Sequence, residues 1–195
     1  TTTGATVIRD MEALPDSIIL GRSTCHWMGG MGIIVLTVAL LPLLGIGGLQ
    51  LVQAEQRGVD SAKLTSRITQ TAKYLWTIYT CLTLICFILY KTAGMGTFDA
   101  VNHALSSIAT GGFSTRDASI GSFNSPYIEW VTVGAMLAGG VSFVLYFQLF
   151  TGRVMKVLRN TEVKVYFAIV LTASAIVALS NYKHGIYPDL AQNIR

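Results

Sequence analysis

The amino-acid sequence predicts an all-α polytopic membrane protein built from repeated units, each with an outward span, a short re-entrant helix, a glycine loop and an inward span. Three observations predict this class: an apolar composition, four uncharged runs of membrane-spanning length, and two glycine loops in matching surroundings. Hydrophobic residues make up 52% of the chain and charged residues 12%. Because charged residues make up about a quarter of an ordinary soluble domain, this composition excludes that class of protein.

Four runs contain no Asp, Glu, Lys or Arg, and each approaches or exceeds the roughly 17 to 25 residues that a transmembrane helix needs. They cover residues 27–54, 74–90, 130–152 and 165–182. The sequence therefore predicts four membrane spans.

The distribution of basic residues predicts the orientation of these spans. Basic residues crowd the first and third connections between spans, at Arg57, Lys63, Arg67, Lys73, Arg153, Lys156, Arg159 and Lys164. The second connection, residues 91–129, has only Lys91 and Arg116. The positive-inside rule then places the two basic connections in the cytoplasm, beside lipid headgroups, and the glycine loops near the outer face. A nucleic-acid partner is not expected.

The first helix is expected to begin after Pro15, where Asp16 can cap free amide groups, and to run inward to about Leu44. The GIGG sequence at 45–48 ends it. We expect His26 on this helix to be interfacial or internally hydrogen-bonded rather than a proton carrier, on the expectation that no second titratable group lies one turn away.

The second helix is expected to return outward over residues 67–93, with side chains at both ends that anchor it at the membrane interface. These predicted anchors are Tyr74, Trp76, Tyr79, Tyr90 and Lys91. A short amphipathic helix over residues 98–109 follows, with Thr97 as its predicted cap. A dozen residues cover only about 18 Å, so this helix is too short to span and is predicted to be re-entrant, with an ordinary surface helix as the alternative.

A glycine loop, ATGGFST at 109–115, follows the short helix, and a fainter copy, TTTGAT, occupies residues 1–6. Both are Thr/Gly backbone without charge, which favours coordination through carbonyl oxygens over acid–base chemistry. The negative end of the short helix's dipole favours a cation, Gly111 and Gly112 permit unusual dihedrals, and Thr110 adds a hydroxyl. The loop is therefore predicted to bind a monovalent cation weakly.

The two glycine loops, aligned at Gly4 and Gly112, have the same features after them in the same order, although the spacings differ by several residues. These are an Arg–Asp pair (Arg9–Asp10, Arg116–Asp117), a proline (Pro15, Pro126), a glycine pair within a span (Gly29–Gly30, Gly139–Gly140) and a glycine exit (Gly45, Gly152). The sequence thus predicts a weak internal repeat.

The repeat divides the chain into four regions. Residues 1–45 are the filter loop and inward span of repeat one, 46–66 a cytoplasmic connection, and 67–152 all of repeat two, whose inward span is expected over 126–151. Residues 153–195 are a cytoplasmic loop and the first span of repeat three, with a third short helix beginning at 190–195.

Four segments together resemble the bacterial TrkH/TrkG proteins of the Trk/Ktr/HKT potassium-transporter superfamily, over essentially the whole chain. They are TTTGAT, LPDSIILGRS, WMGGMGIIVLTVALLPLLGIGG and AGMGTFDAVNHALSSIATGGFSTRDASIGSFNSP. The resemblance implies an internal fragment of a four-repeat, K⁺-channel-like pore in which K⁺ is the transported ion, with no organic cofactor in this chain. Its selectivity-filter glycines would be Gly4 and Gly112, flanked by carbonyl donors at Thr2, Thr3, Thr110 and Gly111. A glycine at the first-repeat position is associated in the superfamily with K⁺ preference.

The resemblance also implies a multi-pass protein of the bacterial inner membrane that forms a homodimer and binds a cytoplasmic, TrkA-type nucleotide-binding regulatory subunit. Both a channel and a proton symporter are compatible with it. Two alternatives come from other classes. One is an intramembrane enzyme that uses His26 or His103 with Ser106 or Ser107, although no acyl-transfer motif such as GxSxG is present. The other is a structural membrane subunit whose glycines serve helix packing alone.

Overall fold

The computed structural model describes residues 2–8, 10–40, 61–150, 152 and 154–183, and the regular structure in these ranges is helical. The α-helices are α1 (Asp16–Leu40), α2 (Ser61–Thr92), α3 (Thr97–Ile108), α4 (Pro126–Gly140), α5 (Phe143–Phe150), α6 (Val154–Leu158) and α7 (Thr161–Lys183), with a 3₁₀-helix at Ser119–Phe123. The predicted all-α class is confirmed. The GIGG exit at 45–48 and the start of a third short helix at 190–195 lie outside the described residues.

The short helix α3 lies at the centre of the fold and contacts α1, α2 and α4. Ala100, Ala104 and Ile108 are buried in a hydrophobic core that includes Met31 of α1 and Ala135 of α4. This burial rules out the alternative of an ordinary surface helix. The predicted bounds differ from the observed ones by one residue at each end, and Gly96 rather than Thr97 precedes the first turn.

Two of the aromatic side chains predicted as interfacial anchors are buried instead. Tyr79 is 1% exposed and Tyr90 is fully buried, whereas Tyr74 and Trp76 are about half exposed. The Tyr90 hydroxyl bonds Ser107 Oγ at 2.9 Å and Thr132 Oγ1 at 2.8 Å, and so joins α2, α3 and α4. The prediction was wrong for Tyr79 and Tyr90 because buried polar partners satisfy their hydroxyls inside the fold.

Among the described residues, two helices are long and apolar enough to cross a membrane, at Ala72–Thr92 and Thr161–Asn181. They correspond to the second and fourth predicted spans. The first predicted span continues beyond residue 40 into residues that are not described. The third span was predicted over residues 126–151, and there the structure has two helices, because α4 ends at Gly140 and α5 begins at Phe143.

The break between α4 and α5 is stabilised by two tyrosine hydroxyls. Val141 is extended, with φ −77° and ψ 139°, so the regular helical hydrogen bonding ends here, although the Val141 amide still donates to the Ala138 carbonyl at 3.3 Å. Tyr146 Oη donates to the Ala138 carbonyl at 2.7 Å, and Tyr166 Oη of α7 donates to the Leu137 carbonyl at 3.2 Å. These two hydroxyls therefore supply hydrogen bonds to carbonyls beside the break, as non-helical backbone in a membrane protein requires.

Candidate ion-coordinating site

The second glycine loop begins with a tight turn at the end of α3. The Thr110 amide donates to the Ser107 carbonyl at 3.0 Å, and the Gly111 amide donates to the Ser106 carbonyl at 2.9 Å. This is the Schellman arrangement, in which the residue at the Thr110 position takes a left-handed conformation and is usually glycine. Thr110 has φ +52°, which is unfavourable for a β-branched side chain. The turn redirects the chain sharply away from the helix axis.

The two predicted filter glycines share a left-handed backbone, with φ +69° at Gly4 and +78° at Gly112. A side chain at either position would be strained, because only glycine adopts this region without a steric penalty. The prediction that Gly112 permits unusual dihedrals agrees with this geometry, and the same requirement holds at Gly4.

The two glycine loops contact each other directly. A Cβ atom on Gly4 would collide with the carbonyl oxygen of Gly111, so the backbone of the first loop lies against that of the second. The structure therefore brings together two segments that are far apart in the sequence. Thr2 and Thr3 precede this contact on the first loop; Thr110 and Gly112, both exposed, flank it on the second.

Gly111 differs from Gly4 and Gly112, because its φ is not positive. Glycine is needed there because no space is left for a side chain. A Cβ atom there would collide with the imidazole ring of His26 on α1. Gly111 is buried, and so is His26, which is 3% exposed. Helix α1 thus packs directly against the second glycine loop.

One glycine of each predicted pair packs near the same end of α3. A Cβ on Gly30 of α1 would lie 2.6 Å from Tyr79 Oη and 3.4 Å from Ala109 Cβ. A Cβ on Gly139 of α4 would collide with the Ile108 carbonyl. Both inward helices therefore approach the start of the second glycine loop closely, as small residues allow.

A polar network beyond the glycine loops joins them a second time. Thr115 Oγ1 donates to Asp99 Oδ1 at 2.6 Å, and Arg116 lies 3.4 Å from Asp99 and 3.7 Å from Glu12. The backbone amide of Met11 donates to Asp117 Oδ1 at 2.8 Å. The Arg–Asp pair that marked the repeat in the sequence thus connects the exit of loop two to the exit of loop one.

The histidines and serines of the enzyme alternative do not form a nucleophile–base pair. His103 bonds the Asp99 carbonyl at 2.8 Å and Ser114 Oγ at 3.1 Å, and Ser107 bonds Tyr90. Within the described ranges, His26 Nδ1 and Ser106 Oγ have no hydrogen-bond partner. Since a catalytic pair must meet within hydrogen-bond reach, this geometry does not support the pairing of His26 or His103 with Ser106 or Ser107.

The chain is similar to known proteins over most of its length. A family model described as TrkH, cation transport protein, matches residues 1–182. The Trk system potassium uptake protein TrkH of Salmonella typhimurium is 46% identical over 189 residues, which are 96% of this chain and 39% of that protein. TrkG of Escherichia coli K12 is 39% identical over 189 residues, again 96% of this chain and 39% of that protein.

The fold is also similar to a solved structure. The crystal structure of the potassium transporter TrkH from Vibrio parahaemolyticus matches with a TM-score of 0.84 and 40% identity, over 99% of this chain and 39% of that one. The chain spans about two fifths of the length of these relatives.

Proposed function

We propose that this chain, which belongs to the TrkH family of cation transport proteins, is part of the pore-forming subunit of a Trk-type potassium uptake system. Within that pore it contributes the first two of four filter loops. The observation that carries the proposal is the direct contact between Gly4 and the Gly111 carbonyl, at the end of a short buried helix. Two loops that meet backbone to backbone supply adjacent carbonyl oxygens to one ion path.

The chemistry of the contact suits K⁺ as the transported ion. Backbone carbonyls of Thr2, Thr3, Gly4, Thr110, Gly111 and Gly112 are the proposed ligands. Carbonyl oxygens replace the hydration shell of K⁺ without a fixed negative charge, so the ion binds weakly enough to leave. The carbonyl end of α3 points its dipole toward the same place and adds a partial negative potential.

The proposal places the chain within a larger, multi-pass protein of the bacterial inner membrane. Residues 1–45 belong to repeat one, 67–152 form repeat two, and 153–195 begin repeat three after the cytoplasmic connection at 46–66. The complete subunit is proposed to form a homodimer and to bind a TrkA-type nucleotide-binding regulator at its cytoplasmic face. The name Trk system, borne by the relatives, supports an assembly of several components.

The proposal is tested by replacing Gly112 with serine in the whole protein and measuring Rb⁺ and Na⁺ uptake in cells that lack other potassium uptake systems. A side chain at φ +78° costs roughly 1 to 2 kcal/mol and displaces the carbonyls, so discrimination between K⁺ and Na⁺ should fall by about tenfold. The matched control is Gly121→Ser, because a Cβ at Gly121 meets no atom within 4 Å. Unchanged selectivity in Gly112→Ser at normal membrane abundance contradicts the proposal.

A further inference from the structure

One arginine side chain on α1 contacts both glycine loops. Arg22 Nη2 donates to Thr6 Oγ1 at 2.7 Å, two residues after Gly4. The guanidinium carbon of the same side chain lies 4.1 Å from the centroid of the Phe113 ring, and Phe113 directly follows Gly112. Arg22 thus reaches the residues that follow each proposed filter glycine.

His26 contacts the same aromatic ring from one helical turn further along α1. Its imidazole stacks on Phe113, with centroids 3.7 Å apart and an interplanar angle of 7°. Residues four apart lie on the same face of a helix, so Arg22 and His26 form one continuous surface toward the second loop. The expectation that no titratable group lies one turn from His26 was therefore wrong, because Arg22 occupies that position.

These contacts cross the boundary between the two repeats. Arg22 and His26 belong to the inward helix of repeat one, whereas Phe113 belongs to the filter loop of repeat two. Besides Thr6, the guanidinium also contacts Met11 Sδ, beyond the first loop. A planar guanidinium can hydrogen-bond through its edge while its face stacks on an aromatic ring, which a lysine ammonium cannot do.

We propose that Arg22 is a positioning residue for ion selection, which holds Thr6 of the first loop and Phe113 of the second at a fixed separation, with His26 supporting the Phe113 ring. This inference rests on the proposed function, because it concerns the spacing of the same carbonyl groups. The side chain does not touch the ion. It sets how closely the Gly4 and Gly111 backbones approach, and the carbonyl ring discriminates between ions only if that spacing is held.

The test uses the whole protein with its native partners, reconstituted in liposomes, and measures the KM and maximal rate of K⁺ uptake and the ratio of Rb⁺ to Na⁺ uptake. Arg22→Gln and Phe113→Leu should each lower that ratio by about tenfold, or about 1.4 kcal/mol, and should raise the KM for K⁺. The double variant should be no worse than the more severe single variant, because the two residues act through one contact.

Arg22→Lys separates positioning from a purely electrostatic role, because lysine retains the positive charge but lacks the planar guanidinium that hydrogen-bonds Thr6 and stacks on Phe113. Positioning predicts that Arg22→Lys also loses selectivity, whereas wild-type selectivity and KM in this variant overturn the inference. Lys73→Gln, which removes an exposed basic side chain of α2 outside the loops, is the control for selectivity.

If Arg22→Gln fails to reach the membrane, Arg22→Lys and Phe113→Leu carry the test. Additive losses in the double variant, or unchanged ratios in all single variants, overturn the inference while leaving the proposed function intact. Absence of K⁺ uptake by the wild-type protein would instead overturn the proposed function, and the inference with it.

Discussion

At the scale of single residues, the glycines of the second loop meet two different physical requirements. Gly112 needs its left-handed backbone, with φ +78°, whereas Gly111 needs the absence of a side chain because His26 occupies the space beside it. A second substitution can therefore compensate for a side chain added at Gly111 but not for one added at Gly112. Strain at Gly112 is intrinsic to the backbone, but crowding at Gly111 depends on one neighbour that can be made smaller.

This difference yields a prediction for Gly111→Ala. The added methyl group overpacks the site against His26, which should lower the stability of the whole protein by about 1 to 3 kcal/mol. Adding His26→Ala should restore part of the loss by opening the space, even though it removes the stack on Phe113. Thermal unfolding of the detergent-solubilised protein measures the effect. If the double variant is less stable than Gly111→Ala alone, the proposed steric cause is incorrect.

At the scale of elements, the predicted inward span of repeat two consists of two helices, α4 and α5, joined by a short extended segment. The tyrosine hydroxyls that satisfy the carbonyls of Leu137 and Ala138 come from α7 and α5, on either side of the basic turn near α6. The end of α4 is therefore connected to the first span of the next repeat. Gly140 allows this contact, because a Cβ there would collide with the Tyr166 hydroxyl.

We predict that Tyr146→Phe and Tyr166→Phe each destabilise the whole protein by about 0.5 to 1.5 kcal/mol, because each leaves a carbonyl without its hydroxyl donor. Tyr127→Phe is the matched control, since Tyr127 is 51% exposed. Hydrogen exchange of backbone amides should increase around residues 137–143 in the first two variants and remain unchanged in the control. Equal exchange in all three variants would show that the hydroxyls do not hold the break.

At the scale of the whole molecule, the two faces of the fold have different chemistry. The glycine loops and the network around Arg116 are predicted to lie near the outer face, and the connection that contains exposed Arg159 and Lys164 is predicted to be cytoplasmic. The long helix α7 has none of its apolar span buried among the described residues. Lipid and the remaining repeats of the proposed complete subunit are the partners that suit this apolar surface.

The separation of the two faces predicts separate effects on selection and regulation. Replacing Arg159 and Lys164 together by glutamate should leave the ratio of Rb⁺ to Na⁺ uptake unchanged, because neither residue belongs to the loops. The same change should weaken binding of the proposed nucleotide-binding regulator through charge repulsion. Pull-down of the regulator together with uptake assays measures both effects. Altered selectivity would contradict the assignment of these residues to a face remote from the ion path.

Much of this arrangement follows from the sequence, because its signals are local. The apolar runs predicted helices of spanning length, and the dozen residues before ATGGFST predicted a helix too short to span, which the structure has at Thr97–Ile108. The helical start after Pro15 and the start at Pro126 were also predicted correctly. Each of these features depends on residues that are close together in the chain, so periodicity, capping and composition are sufficient to find it.

The tertiary structure determined which residues that are distant in the sequence contact each other. The hydropathy pattern does not detect the break at Val141, because the run of residues around it is continuously apolar. The hydroxyls that stabilise the break come from Tyr146 and Tyr166. The sequence pattern also does not reveal that Tyr90 is buried or that Arg22 contacts Thr6 and Phe113, because these contacts join distant segments. The sequence by itself determined the helices and the positions of the two glycine loops. Only the packing of the chain brought Gly4 against Gly111, because such contacts depend on shape and on partners remote in the sequence.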